Sequence, residues 1–183
     1  MDDLSGRKVV VIGGSAGIGY ASAEMALEAG AEVAIAARGE ERLKAAAERL
    51  SARFGRDVPW HVIDMRERAN VAAYLASVAP IDHLLLPGAN VYRTSFADLD
   101  EELARASFDA KMWAPFFAAY DARPHMRKGG SIIFYTGLAN RRPVPGYVVG
   151  AIIDGALDAA TRSLAHELAP EELRVNCISP GII

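Results

Sequence analysis

Apolar positions along the chain recur in two periods that take turns. Val9, Val10, Val11 and Ile12 form an unbroken β-branched run that leads straight into Gly13, Gly14, Ser15, Ala16, Gly17, Ile18 and Gly19. Such a run suits a central parallel strand covered on both faces, and the helical spacing of apolar residues over 18–27 predicts the helix behind it. The alternation then repeats. An apolar strand over Glu32–Ala37 follows the Gly30 break, a helix is predicted over Glu40–Phe54, a strand over 58–63, a short helix over about 67–78 and a fourth strand over 82–86. Residues 98 to about 126 read as helical, bent near Pro115 and ending around Pro124, because proline lacks the amide that a helix interior uses. A fifth strand over 131–135, a loop over 136–145 and a helix over 147–168 complete the series. Regular alternation of this kind predicts an α/β fold, a doubly wound parallel sheet in one domain spanning 1–183.

Composition narrows the function classes. The chain has 183 residues, 51% of them hydrophobic, which suffices for one sizeable core. A net charge of −3 argues against nucleic acid as a partner, and no apolar run is long enough to span a bilayer. Met1-Asp2-Asp3-Leu4 does not resemble a secretion signal, so the expected location is cytoplasmic. The single cysteine, Cys177, stands in an apolar stretch and reads as a buried thiol. His61 and His83 lie within strands and read as structural, and there is no metal-ligand spacing. The apolar positions Met112, Trp113, Phe116, Phe117 and Tyr120 predict one broad packing face, and with the long helix over 147–168 they predict a homo-oligomer.

The candidate chemistry begins at the glycines. They allow backbone amides to approach a ligand, and a helix N-terminus behind them favours negative charge, so the turn suits a diphosphate. The spacing Gly13, Gly17, Gly19 resembles the TGxxxGxG turn of the short-chain dehydrogenase/reductase family. The resemblance runs end to end and implies a Rossmann-type fold that binds a nicotinamide cofactor. Ala37 stands where NAD-preferring relatives carry aspartate, with Arg38 beside it and Ser15 across the turn; an arginine there accommodates a 2′-phosphate, which points to NADP(H). By the same resemblance Ile18 belongs to the cofactor turn, Asp64 and Met65 flank the adenine, Gly88 and Ala89 pass the nicotinamide ribose, and Pro180 and Gly181 lie against the nicotinamide. Ile12 and Leu86 replace polar residues of the family and predict an apolar brace in their place. Family members continue some tens of residues beyond this proline and glycine, so the ending at Ile183 leaves either an omitted tail or an uncovered sheet edge as the expectation. Pairing through the two long helices, as in the family, implies a homodimer or homotetramer.

The family's catalytic residues are the point of departure. The resemblance places its asparagine, serine, tyrosine and lysine at Lys111, Gly137, Gly150 and Asp154. None of the four is retained. Tyr147 is the one tyrosine nearby, but Ala151 stands where its lysine partner belongs, so a Tyr-x-x-x-Lys pair is missing. A cation has replaced an uncharged residue at 111 and an acid has replaced a cation at 154, which predicts an ion pair between Lys111 and Asp154. Phe108-Asp109-Ala110-Lys111-Met112-Trp113 resembles a divergent branch of the family that lacks the usual tetrad and carries Asp-x-Lys before an aromatic pair. Two functions remain open. One is an NADP(H)-dependent oxidoreductase acting on a small molecule with Lys111, Tyr147, water or the substrate itself as acid; the other is a catalytically silent NADPH-binding sensor or oligomeric scaffold.

Overall fold

The computed structural model describes residues 3–87 and 91–181; the expectations at Gly88, Ala89 and Ile183 lie outside them. Six strands form one sheet: β1 (Lys8–Ile12), β2 (Glu32–Ala37), β3 (Trp60–Val62), β4 (Ile81–Leu86), β5 (Met126–Tyr135) and β6 (Arg174–Ile178), in the order β3-β2-β1-β4-β5-β6 and paired in parallel throughout. The order reverses between β1 and β4. In an open parallel sheet this switch point leaves a crevice outside the carboxyl ends of the strands.

Period-two side-chain alternation gives each strand two apolar faces. Val10, Ile12, Leu84, Leu86, Ile132 and Phe134 face one way, against α3 (Arg68–Ser77), α5 (Ala114–Ala122) and α6 (Val148–Leu168). Val9, Val11, Val33, Ile35 and Leu85 face the other, against α1 (Gly17–Glu28) and α2 (Glu40–Phe54). The expected brace is present as burial: Ile12 and Leu86 are each 1% exposed within one cluster.

Three expectations need correction in detail. The third strand is shorter than 58–63, because it is a sheet edge and Pro59 cannot donate to the ladder. The fifth is longer than 131–135: β5 starts at Met126, and a register shift between Ile81 and His83 carries the glycines at 129 and 130 inside the strand as a bulge. The long helix over 98–126 is four pieces. Asp100 caps α4 (Glu101–Phe108) by accepting the Leu103 amide at 2.9 Å, with Glu101 and Glu102 in its first turn; a π-helical turn, Asp109–Trp113, follows before α5 and a short 3₁₀ turn, Arg123–His125. Pro115 has no amide to return to the carbonyl of Lys111 four residues earlier, which accounts for the widened turn there. Of the expected packing face, Trp113, Phe116 and Phe117 pack on one another, and Trp113 is 45% and Tyr120 62% exposed in the single chain.

Candidate functional site

A cleft of about 470 Å³ opens along the carboxyl ends of the strands. Its middle is the turn after β1. Gly13, Gly17, Ile18 and Gly19 all line it. Gly19 is required by close approach, since a Cβ there would lie 2.1 Å from the carbonyl oxygen of Gly13. Gly17 opens α1 with a φ of +55 and no heavy atom within 4 Å of its Cβ direction, so the turn keeps an open surface. The N-cap, Ala16, has no side chain that could cap the first amides of α1, which leaves them for a ligand anion. An oxyanion-bearing diphosphate fits this cradle.

Strand order fixes what stands on either side. Towards β2 and β3 the walls are Arg38, Asp64 and Met65, together with Arg42 from the first turn of α2 and Arg66. Arg66 grips Asp64 through Nε and a terminal nitrogen, the latter at 2.6 Å, and this guanidinium holds the Asp64 carboxyl below its ordinary value. Arg38 is exposed on the rim. Arg42 carries no sequence signal because it sits in an ordinary charged helix; as the third residue of α2, four after Arg38, it lines the same wall. Ser15, by contrast, is 7% exposed and does not line the cleft.

Towards β4, β5 and β6 the walls are Pro87, Tyr135, Thr136, Pro180, Ala110 and Lys111. Gly181 lies beyond the lining, with Leu138 as the nearest contact of its Cβ direction. Lys111 reaches the cleft from the π-helical turn and its Nζ donates to Asp154 Oδ1 at 2.8 Å. The lysine side chain is 7% and the aspartate 0% exposed. The predicted ion pair is present, and it is buried. Among the described residues Asp154 Oδ2 has no hydrogen-bond partner. Nearby, Thr136 Oγ1 donates to Asp158 Oδ1 at 3.4 Å and accepts from Cys177 Sγ at 3.3 Å, and burial raises the Cys177 thiol above its usual value. Cys177 is therefore a half-buried, protonated thiol.

Tyr147 is not at this cleft. It lies against a second, largely apolar cleft of about 560 Å³ with Phe96, Val144, Pro145 and Ile152, and the Arg93 guanidinium sits 4.9 Å from its ring centroid. Its backbone forms an isolated bridge with Thr94. His61 stacks on Tyr74 with ring centroids 5.1 Å apart, and His83 Nδ1 pairs with Ser131 Oγ at 2.9 Å, so both histidines are structural as expected. Among the described residues no cluster of three or more potential metal ligands occurs, and no helix is long and apolar enough to cross a membrane.

Sheet order, switch point and cleft define a Rossmann-type protein. Residues 13–183 match the family model described as enoyl-(acyl carrier protein) reductase. A short-chain dehydrogenase/reductase, ATR9 of Stachybotrys chlorohalonatus, is 32% identical over 192 residues, covering 99% of this chain and 75% of its own. Human dehydrogenase/reductase SDR family member 4 is 31% identical over 189 residues, covering 100% of this chain and 68% of its own. Among solved structures, an NADPH-bound short chain oxidoreductase from Pseudomonas aeruginosa PAO1 containing an atypical catalytic center superposes with a TM-score of 0.93 at 31% identity, over 98% of this chain and 72% of that one. The chain belongs to the short-chain dehydrogenase/reductase family.

Proposed function

We propose that this protein binds NADP(H) along the cleft and serves as an oxidoreductase for a small molecule, with an atypical reaction end. The observation that carries the reading is the uncapped first turn of α1 with Arg38 and Arg42 on the same cleft wall. The turn takes the diphosphate, and the two guanidinium groups take a 2′-phosphate that NAD(H) lacks. Asp64 and Met65 border the adenine region, and Pro180 the nicotinamide region. The NADPH-bound P. aeruginosa oxidoreductase supports the same assignment by its likeness.

A bound nicotinamide supplies the hydride chemistry of this family. The chain's own contribution at that end is Lys111. Its Nζ is fixed by Asp154 Oδ1 and has two further N–H groups, so it can donate to an oxygen that gains negative charge and can carry a proton at that atom. Tyr147 belongs to the second cleft, and the reading therefore rests on Lys111 alone. Exposed Trp113, Tyr120 and Ile152 support a homo-oligomer paired through α4, α5 and α6.

Calorimetric titration with NADPH and, in parallel, NADH tests the cofactor. Binding of NADPH at least about tenfold tighter than NADH is expected, a difference of about 1.4 kcal/mol, and Arg38→Ala with Arg42→Ala should erase it. Equal affinities would refute the NADP(H) assignment. A second reading, a silent NADPH-binding sensor or scaffold, is favoured by Gly137 and Gly150, which bring no hydroxyl to the cleft. NADPH oxidation that depends on an added carbonyl compound separates the two.

A further inference from the structure

Two glycines beside the cleft are filled from elsewhere. A Cβ built on Gly137 would lie 2.8 Å from Asp154 Oδ2, the carboxylate oxygen without a partner among the described residues. A Cβ built on Gly150 would lie 2.3 Å from the ring of Tyr147. Real Cβ atoms do not sit at such distances, so neither site accepts even alanine unless its neighbour moves. The two neighbours differ in what their movement would do. Tyr147 leans on the open second cleft, its backbone bridged to Thr94. Asp154 is wholly buried, on the inward face of α6, and its other oxygen holds Lys111.

We infer that Gly137 is a positioning residue: its missing side chain seats the Asp154 carboxylate and, through it, fixes the Lys111 ammonium in the wall of the cofactor cleft. Position 137 follows Thr136 at the end of β5, where Thr136 N donates to Ile178 O at 2.9 Å. The backbone there is tied to β6 and cannot retreat from α6 to make room. A side chain at 137 therefore presses on the Asp154 carboxylate, whose other oxygen accepts from Lys111 Nζ at 2.8 Å, and disturbs that pair. The inference rests on the proposed cofactor site for its consequence but not for its geometry.

The test uses the full chain. In ¹⁵N-labelled protein the Lys111 ammonium, assigned by its loss in Lys111→Met, is expected to give a slowly exchanging ζ-NH₃ signal, because it is buried and paired. Gly137→Ala should abolish that signal, as Asp154→Asn should. It should also weaken NADPH binding by about tenfold, the worth of one hydrogen bond to a charged group. Added to Asp154→Asn, the alanine should weaken binding no further, since both changes break the same pair. A purely structural role for Gly137 would lower the melting temperature and leave both readouts alone. Should Gly137→Ala fail to fold, the same alanine in a Lys111→Met, Asp154→Ala background, where the carboxylate is gone, is expected to fold as that background does. Loss of folding there as well would overturn the inference. So would an unchanged Lys111 signal in Gly137→Ala. If the wild-type chain binds no NADPH while Gly137→Ala still abolishes the signal, the positioning role stands and the cofactor assignment falls.

Discussion

Lys111 and Asp154 are each unremarkable in charge and unusual in place. A lysine 7% exposed and an aspartate 0% exposed are tolerable together because each neutralises the other at 2.8 Å. Removing one partner leaves the other buried and uncompensated. Lys111→Met should therefore lower stability by about 3–5 kcal/mol, measured by urea denaturation at neutral pH. Replacing both, Lys111→Met with Asp154→Leu, should come within about 1 kcal/mol of the wild type or exceed it. Should the double variant be as unstable as the single one, the pair would not be the source of the loss. Stability and function part company here, since the double variant removes the one ammonium that lines the cleft among the described residues.

At the scale of elements, the turn after β1 shows how little freedom the site leaves. The Gly19 amide belongs to the first turn of α1, and its Cα lies against the Gly13 carbonyl, a backbone group that cannot rotate away. Gly19→Ala should cost about 3 kcal/mol through overpacking. Its effect on stability should exceed that of Gly17→Ala, where a Cβ meets no protein atom within 4 Å and the positive φ alone opposes it in the free protein. Thermal melts and calorimetry on the two variants check the order; a milder Gly19→Ala would mean that α1 can slide away from the turn. The helical stretch before β5 obeys the same logic of local cause. Pro115 withholds one amide, the helix widens by a turn, and Lys111 on that turn comes to the cleft wall.

For the molecule as a whole, the end of the sheet opposite the cleft is tied by Asp82. Its carboxylate is 1% exposed and accepts from the Lys8 amide at 2.8 Å, Arg7 at 2.9 Å and Arg127 at 3.1 Å, which joins β1, β4 and β5. Burial opposes its ionisation, but the Lys8 amide and the Arg7 and Arg127 guanidinium groups outweigh it and hold the carboxyl below its ordinary value. A carboxyl with a lowered folded value contributes stability above about pH 4, and the contribution is lost as pH falls through the folded value. Asp82→Asn should thus destabilise the chain at neutral pH by more than it does in acid. His83, next along β4, has the opposite partner balance. Burial lowers its proton affinity, so unfolding is favoured as pH drops below about 6.5, where the unfolded imidazole takes a proton that the folded one resists. Denaturation midpoints for His83→Gln, compared at neutral pH and near pH 5.5, should lose that part of the slope.

Much of this was readable from the chain alone. β-branched runs and helical periods gave five strand positions to within a few residues, because both signals are local consequences of what each segment must bury. The glycine turn was legible for the same reason: its spacing is dictated by backbone approach within the seven residues from Gly13 to Gly19. Even the Lys111 and Asp154 pair was inferable, since one chain had exchanged the place of its cation. What the sequence left undetermined involves residues that meet only through packing. Tyr147 lines the second cleft, with its backbone bridged to Thr94; Asp154 fills the space over Gly137 because α6 packs against β5 and β6. Local pattern determines which elements form and in what order, since that depends on neighbours in the chain. Which side chain occupies which space depends on neighbours across the sheet, and only the tertiary structure decides it.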